Sequence, residues 1–393
     1  MRALQITLLA CLSLLGSALA ETLHVPLQYP TIAAGLSGAA YGDTVLVACG
    51  HYIVADLVIK DGVTLRSAGG VPDCVILNGQ SVNQIMRGTD LGVDTRIEGF
   101  TFRWGRATHE GGVGSALELV DSHPTLRHCL FLENVSTWGG AVSALGSILI
   151  FEDCRFEGNR AYHYGGAIWC DEFSPTRFLR CEFIGNESGL GGGAISSYGF
   201  SSVTLTDCQL RENESAVGAG LHAITASPLL DHCSFVDNVA LSYGGAFALQ
   251  GGDASIIQCT FARNSAPLGS ALDYRAHDGG YPSIPNLSCS ILAFNEGGAA
   301  VSCVDGDAFA WDTDIFGNLG GDWTGCMAPL LGQWGNISED PEFCSQNDFI
   351  NLGLQLDSPC LVEGCLGYLG AHPVDCGIAK SEVSSWSQVK ILY

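Results

Sequence analysis

The sequence predicts an all-β chain wound as a single-stranded, right-handed parallel β-helix of about twelve coils, three short strands in each. Two repeating signatures and one period carry that prediction. The first signature is Cys-x-Phe-x-x-Asn, in Cys129/Phe131/Asn134, Cys154/Phe156/Asn159, Cys181/Phe183/Asn186, Cys208/Leu210/Asn213, Cys233/Phe235/Asn238 and Cys259/Phe261/Asn264. A stretched copy, Cys289/Ile291/Asn295, and a degenerate one, Thr313/Ile315/Asn318, follow, and Phe100/Phe102/Gly105 precedes them. The second signature is a glycine corner a few residues after each Asn: Gly139-Gly140-Ala141, Gly165-Gly166-Ala167, Gly192-Gly193-Ala194 and Gly244-Gly245-Ala246, with looser copies at Ala219-Gly220 and Gly269-Ser270. Five steps from Asn134 to Asn264 span 130 residues, a mean period of 26. A period of that size marks units that bury their apolar faces only against their neighbours.

Each slot then has a physical task. In one repeat the strands fall at about 193–197, 202–205 and 208–210, bounded by turn residues. Alternation sends Cys208 and Leu210 inward and Asp207, Gln209 and Arg211 outward. Stacked Cys and Phe fill the interior, free Cys behaving as a small hydrophobe. Asn tolerates a left-handed backbone and can bond its counterpart one coil away, about 4.8 Å along the stack. The glycine pair permits positive φ at a tight corner.

With these residues the chain resembles secreted right-handed β-helix proteins of the pectin-lyase-like superfamily, and its Gly-Gly-Ala-Ile and Phe-x-x-Asn elements are similar to chlamydial polymorphic outer-membrane protein repeats. The resemblance covers about residues 22–376. It implies end caps: a small-residue helix near 33–40 at the start, and a cysteine-rich closing region, 301–379, with Asp340-Pro341-Glu342-Phe343 and Ser358-Pro359-Cys360. Caps keep open strand edges from pairing with other chains.

Taken in order, residues 1–20 read as a secretory signal: Arg2, an apolar run, then Ala18-Leu19-Ala20 before Glu21. Leu8-Leu9-Ala10-Cys11 looks like a lipidation box, but the apolar run continues past it. Residues 21–379 form the β-helix domain, with the cap and first coils at 21–105, regular repeats at 106–300 and final coils beyond. Residues 277–285 form a loop thrown from a corner, and 380–393 a polar flexible tail. No run after residue 20 approaches the roughly 20 apolar residues that span a bilayer. The expected location is outside the cell, secreted or on its surface. There disulfides persist, and the expected pairs are Cys49–Cys74, Cys303–Cys326, Cys360–Cys365 and Cys344–Cys376, with every ladder cysteine free.

The 17 basic against 41 acidic residues, net charge −24, disfavour nucleic acid and an anionic polymer held along the whole surface. No Cys-x-x-Cys, Gly-x-Ser-x-Gly or phosphate-binding glycine loop occurs, so no cofactor is expected. Asp305, Asp307, Asp312 and Asp314 lack the closing Glu of an EF-hand and read as solvated carboxylates, not a metal site. The resemblance implies polysaccharide-cleaving signatures, but Gly-His-Gly and Arg-Ile-Lys are both missing, and lysine occurs only at Lys60, Lys380 and Lys390.

The remaining signal is aromatic. Trp138, Tyr164 and Tyr243 precede glycine corners, while Trp169, Asp171, Tyr198, Asp273 and Arg275 follow them at offsets that point outward if Ile168, Ile195 and Leu272 point in. Rings beside polar groups on a rigid sheet suit sugar stacking. The expectation is a non-catalytic extracellular recognition or scaffolding protein with a polysaccharide as partner. A polysaccharide lyase or glycoside hydrolase is the alternative.

Overall fold

The computed structural model describes residues 20–108, 111–277, 282–304, 307–345, 351–374 and 376. The signal segment, Asp305 and the tail lie outside them. The strands stack into four sheets of 12, 11, 8 and 10 members, every strand pair in them parallel, in about eleven coils. One coil runs Ile150–Glu152 in the first sheet, Arg155–Glu157 in the second, Arg160–Ala161 in the third and Ile168–Asp171 in the fourth. The expected three strands per coil become four, because a short strand, in most coils of two residues, follows the Asn. It is too short to show a period.

Single left-handed residues make the bends on either side of the second sheet, such as Asp153 (φ 53°) before Cys154 and Glu212 (φ 57°) before Asn213. The glycine pair serves two needs. Gly165 takes φ 68°, whereas a Cβ on Gly166 would lie 2.0 Å from the carbonyl oxygen of Gly193 in the next coil.

Inside, the phenylalanines stack almost parallel: Phe102–Phe131 at 4.9 Å, Phe131–Phe156 at 4.7 Å and Phe156–Phe183 at 4.8 Å. Burying each ring contributes about 2–3 kcal/mol. The asparagines form one amide ladder. Asn186 Nδ2 donates to Asn213 Oδ1 (3.0 Å) and to the Phe156 carbonyl (3.0 Å), and its backbone N–H also reaches Asn213 Oδ1 (3.0 Å). The same triple recurs from Asn134 to Asn264, all fully buried. At the opposite corner Ser122, Ser147, Ser174 and Ser201 form a second ladder, each backbone N–H donating to the next hydroxyl.

The N-terminal end is closed by the helix Ile32–Gly38, capped by Thr31 Oγ1 accepting from Ala34 N–H and burying Ile32 and Leu36. At the other end Trp323 and Met327 join the core, with Cys326 bonded to Cys303. The described residues between 341 and 374 do not continue the stack. They fold back as a strap over the outer face of the second sheet, packing Phe343, Leu352, Leu354 and Leu369 on Val236, Ala262, Ile291 and Ala293.

The disulfides are Cys49–Cys74, Cys303–Cys326, Cys344–Cys376 and Cys289–Cys365. Two sequence-based expectations are thereby corrected. Cys365 pairs with Cys289 rather than Cys360, and Cys360 is a free, buried thiol. The stretched repeat was also out of register. Thr260 pairs with Ile291 and Phe261 with Leu292, so Ser290 and Leu292 fill the inner slots. Cys289 then occupies the left-handed bend (φ 52°), facing outward where the strap can reach it.

Candidate functional site

The outer face of the fourth sheet presents side chains in vertical columns. Register places Ser143, Trp169, Ser196, His222, Ala248 and Asp273 one above another. Beside them, Leu145 pairs with Asp171, and Tyr198, Ile224, Gln250 and Arg275 follow in the same order. A third column, just before the glycine corners, holds Trp138, Tyr164, Gly191, Val217, Tyr243 and Leu268, joined coil to coil through the corner amides.

Rings occupy much of this third column. Trp138 and Tyr164 stack at 5.5 Å with planes 22° apart, and Tyr164 stacks with His222 at 6.0 Å and 27°. His222 reaches this column because Gly191 has no side chain: a Cβ there would stand 2.1 Å from His222 Nδ1. Rings stacked up a column turn their edges, not their faces, toward solvent. Trp169 differs, lying tilted 41° against Trp138 at 5.0 Å.

Higher on the face a polar chain takes over. Arg275 donates through Nε (2.5 Å) and a terminal nitrogen (3.1 Å) to Asp273, which is fully buried. Its guanidinium lies 3.5 Å above the Tyr243 ring, and Gln250 Nε2 donates to Tyr243 Oη at 2.5 Å. Such a bidentate, stacked arginine is fixed and already neutralised. Burial raises the Tyr243 pKa, so the phenol keeps its proton.

The five residues singled out from sequence fall into two groups. Trp169, Asp171 and Tyr198 lie on adjacent coils. Asp171 is half-buried, its carboxylate accepting from Glu172 N–H (2.7 Å), and burial raises its pKa. Tyr198 is 44% exposed. Asp273 and Arg275 stand four strands above Trp169, roughly 19 Å away at about 4.8 Å per strand. Between the groups sits His222, which sequence reasoning missed. It is 3% exposed, and burial pushes its pKa down to about 4. Neither ring nitrogen has a hydrogen-bond partner among the described residues. Gln250 stands close enough to the ring to oppose that shift. The signal that could have found His222 is its offset from Gly218-Ala219-Gly220, the same as Trp169 from Gly165-Gly166-Ala167.

Elsewhere the chemistry is self-contained. A concavity of about 160 Å³ on the second-sheet side is lined by Asp153, Arg155, Arg180 and Glu182. Those charges pair with one another, Arg180–Asp153 at 2.7 Å and Arg155–Glu182 at 3.4 Å. Among the described residues the one grouping of possible metal ligands is Cys289, Asp312 and Cys365, but its two sulfurs are bonded to each other. Asp314 lies apart, under the strap against Cys360.

A parallel β-helix with one outer face strapped and another left open among the described residues is the class that these features define. The chain belongs to the family described as right handed beta helix region, whose profile matches residues 60–261, just over half of its length. No curated protein matches the chain. Among solved structures it is similar to a PL6 family alginate lyase, AlyGC, with TM-score 0.37 and 12% identity, over 90% of this chain and 57% of that one. A mutant of the same lyase gives TM-score 0.39 at 12% identity, with the same coverage. The chain thus spans little more than half the length of these lyases, and the likeness concerns the coiled fold alone.

Proposed function

We propose that the protein is exported and uses the outer face of the fourth sheet for extracellular carbohydrate recognition, without cleaving what it binds. The observation that carries this reading is the ring array of Trp138, Tyr164, Trp169 and His222, spread over four successive coils on a fully bonded backbone. Ordering such rings on binding sacrifices little entropy, so a few sugars suffice for an affinity on the order of 10–1000 μM. The leader-like residues 1–20 and four disulfides suit an oxidising exterior. The test is a glycan array probed with the chain from Glu21 onward, with Trp169→Ala as control. Binding that Trp169→Ala weakens supports the reading; an array without hits rejects it. The catalytic alternative, a polysaccharide lyase or hydrolase, draws on the neutral His222 and protonated Tyr243 lying on one face. Shortened products after incubating any hit with the protein would favour it.

A further inference from the structure

We infer that His222 is the hydroxyl-reading centre of a subsite on this face, and that the subsite takes a neutral sugar rather than a uronate. The inference rests on the carbohydrate-binding reading and adds the class of sugar. Buried polar atoms in native proteins are almost always hydrogen-bonded. A neutral imidazole has one donor and one acceptor, and in His222 both are buried and without a partner among the described residues. Its position is not accidental packing, since the ring fills the gap over Gly191 and continues the stack begun by Trp138 and Tyr164. The side chain able to move aside is Gln250, half-buried and held to Tyr243 Oη by a hydrogen bond it can exchange.

The charges decide the class. Arg275 is the cation of the cluster, and it is committed twice, to Asp273 and to the Tyr243 ring. On the neighbouring third sheet, Arg160 is paired with Glu187 at 3.1 Å. A uronate carboxylate only accepts hydrogen bonds. The ring hydroxyls of a uronate could serve the imidazole as those of a neutral sugar do, but its carboxylate would enter a protein of net charge −24 with no uncommitted cation in the cluster to meet it. A neutral sugar brings hydroxyls that both donate and accept, one to each ring nitrogen.

The experiment titrates the chain from Glu21 onward calorimetrically at pH 7 with cello-, manno- and xylo-oligosaccharides, and with oligogalacturonate and alginate oligomers. At least one neutral series should bind, with the uronates at least tenfold weaker. His222→Phe should weaken that binding tenfold or more. Gly191→Ala should do the same, since the new Cβ occupies the place of the ring. His222→Gln, which keeps a donor and an acceptor, should recover part of the loss. Wild-type protein labelled at histidine supplies a readout independent of any variant's folding: the His222 ring nitrogens should shift in NMR spectra when the neutral oligosaccharide binds. Uronates binding as tightly as neutral sugars would overturn the inference, as would ring signals unmoved by a bound glycan. If Trp169→Ala loses binding while His222→Phe and Gly191→Ala keep it, the subsite is wrong and the binding face stands. No binding by any oligosaccharide rejects both.

Discussion

Two outer faces of the same coil stack each hold a buried titratable group, and they treat it in opposite ways. On the second sheet, near the C-terminal end, Asp314 lies beneath the strap. Its carboxylate accepts from the Cys360 thiol (3.3 Å) and from the Glu339 N–H (3.1 Å). On the fourth sheet His222 is just as hidden and has no such partner among the described residues. Over Asp314 the chain brings hydrogen-bonding groups for the carboxylate that it buries. The unmatched group on the uncovered face is therefore the better guide to a ligand.

The contrast predicts that the faces can be disturbed separately, and the largest effect belongs to the strap. Phe343 is fully buried in the cluster joining the strap to the sheet. Phe343→Ala should destabilise that packing by about 3–5 kcal/mol, seen as early proteolysis beyond residue 340. Glycan binding should be untouched; a parallel loss would mean that the two faces are coupled.

Next comes pH. Burial raises the Asp314 pKa from 3.8 to about 7, with Asp322 and Glu339 adding to the rise and the bonds from Glu339 N–H and Cys360 opposing it. The folded state therefore binds more protons than the unfolded one between these values. The contribution of Asp314 is greatest below about pH 4, falls as pH rises to about 7, and is flat beyond, a change on the order of 4 kcal/mol. Denaturation midpoints against pH should lose this component in Asp314→Asn; an unchanged profile would refute the assignment.

His222 should show the reverse slope. Its folded pKa of about 4 lies below the ordinary 6.5, so stability is present above pH 6.5 and is lost as pH falls through that window. The change is on the order of 3 kcal/mol and should vanish in His222→Phe. The smallest effect is Trp169→Ala, which should weaken glycan binding by about 1–2 kcal/mol and leave the thermal midpoint unchanged. A fallen midpoint would place that ring in the structural rather than the binding part of the face.

Much of the fold could be read because the same side chain does the same work in successive coils. Cys, Phe and Asn recur since each stacks on its own kind, and the glycine corner recurs because the next coil leaves no room for a Cβ. Reading failed where a slot changed chemistry. Ser290 serves in the place of a ladder cysteine, its hydroxyl accepting from Cys259 N–H (3.1 Å), and this drew attention to the adjacent Cys289. The strap was invisible because its contacts join residues far apart in the chain, such as Gln258 Nε2 with the Cys365 carbonyl (2.9 Å, 107 residues away). Trp169, Asp273 and Arg275 were legible from strand alternation. His222, in the same column, was not, because its corner, Gly218-Ala219-Gly220, departs from the Gly-Gly-Ala signature that marks most of the others.

The asparagine ladder also runs in one direction and has a terminus. Each amide donates toward the C-terminal coil until Asn318, whose backbone and side-chain N–H groups both meet Asp322 Oδ1 at 2.8 Å. A carboxylate only accepts, so the relay ends there. Nothing between start and stop specifies how many rungs there should be, because Asn186 would meet Asn238 just as it meets Asn213. Excising residues 187–213 would remove one whole coil, Gly191 included, and reseal the relay. His222 would then stand one strand nearer Trp169, about 4.8 Å. The molecule is in this sense a ruler whose graduations can be struck out singly, and the distance between its contact points is an evolvable length set by gain or loss of coils.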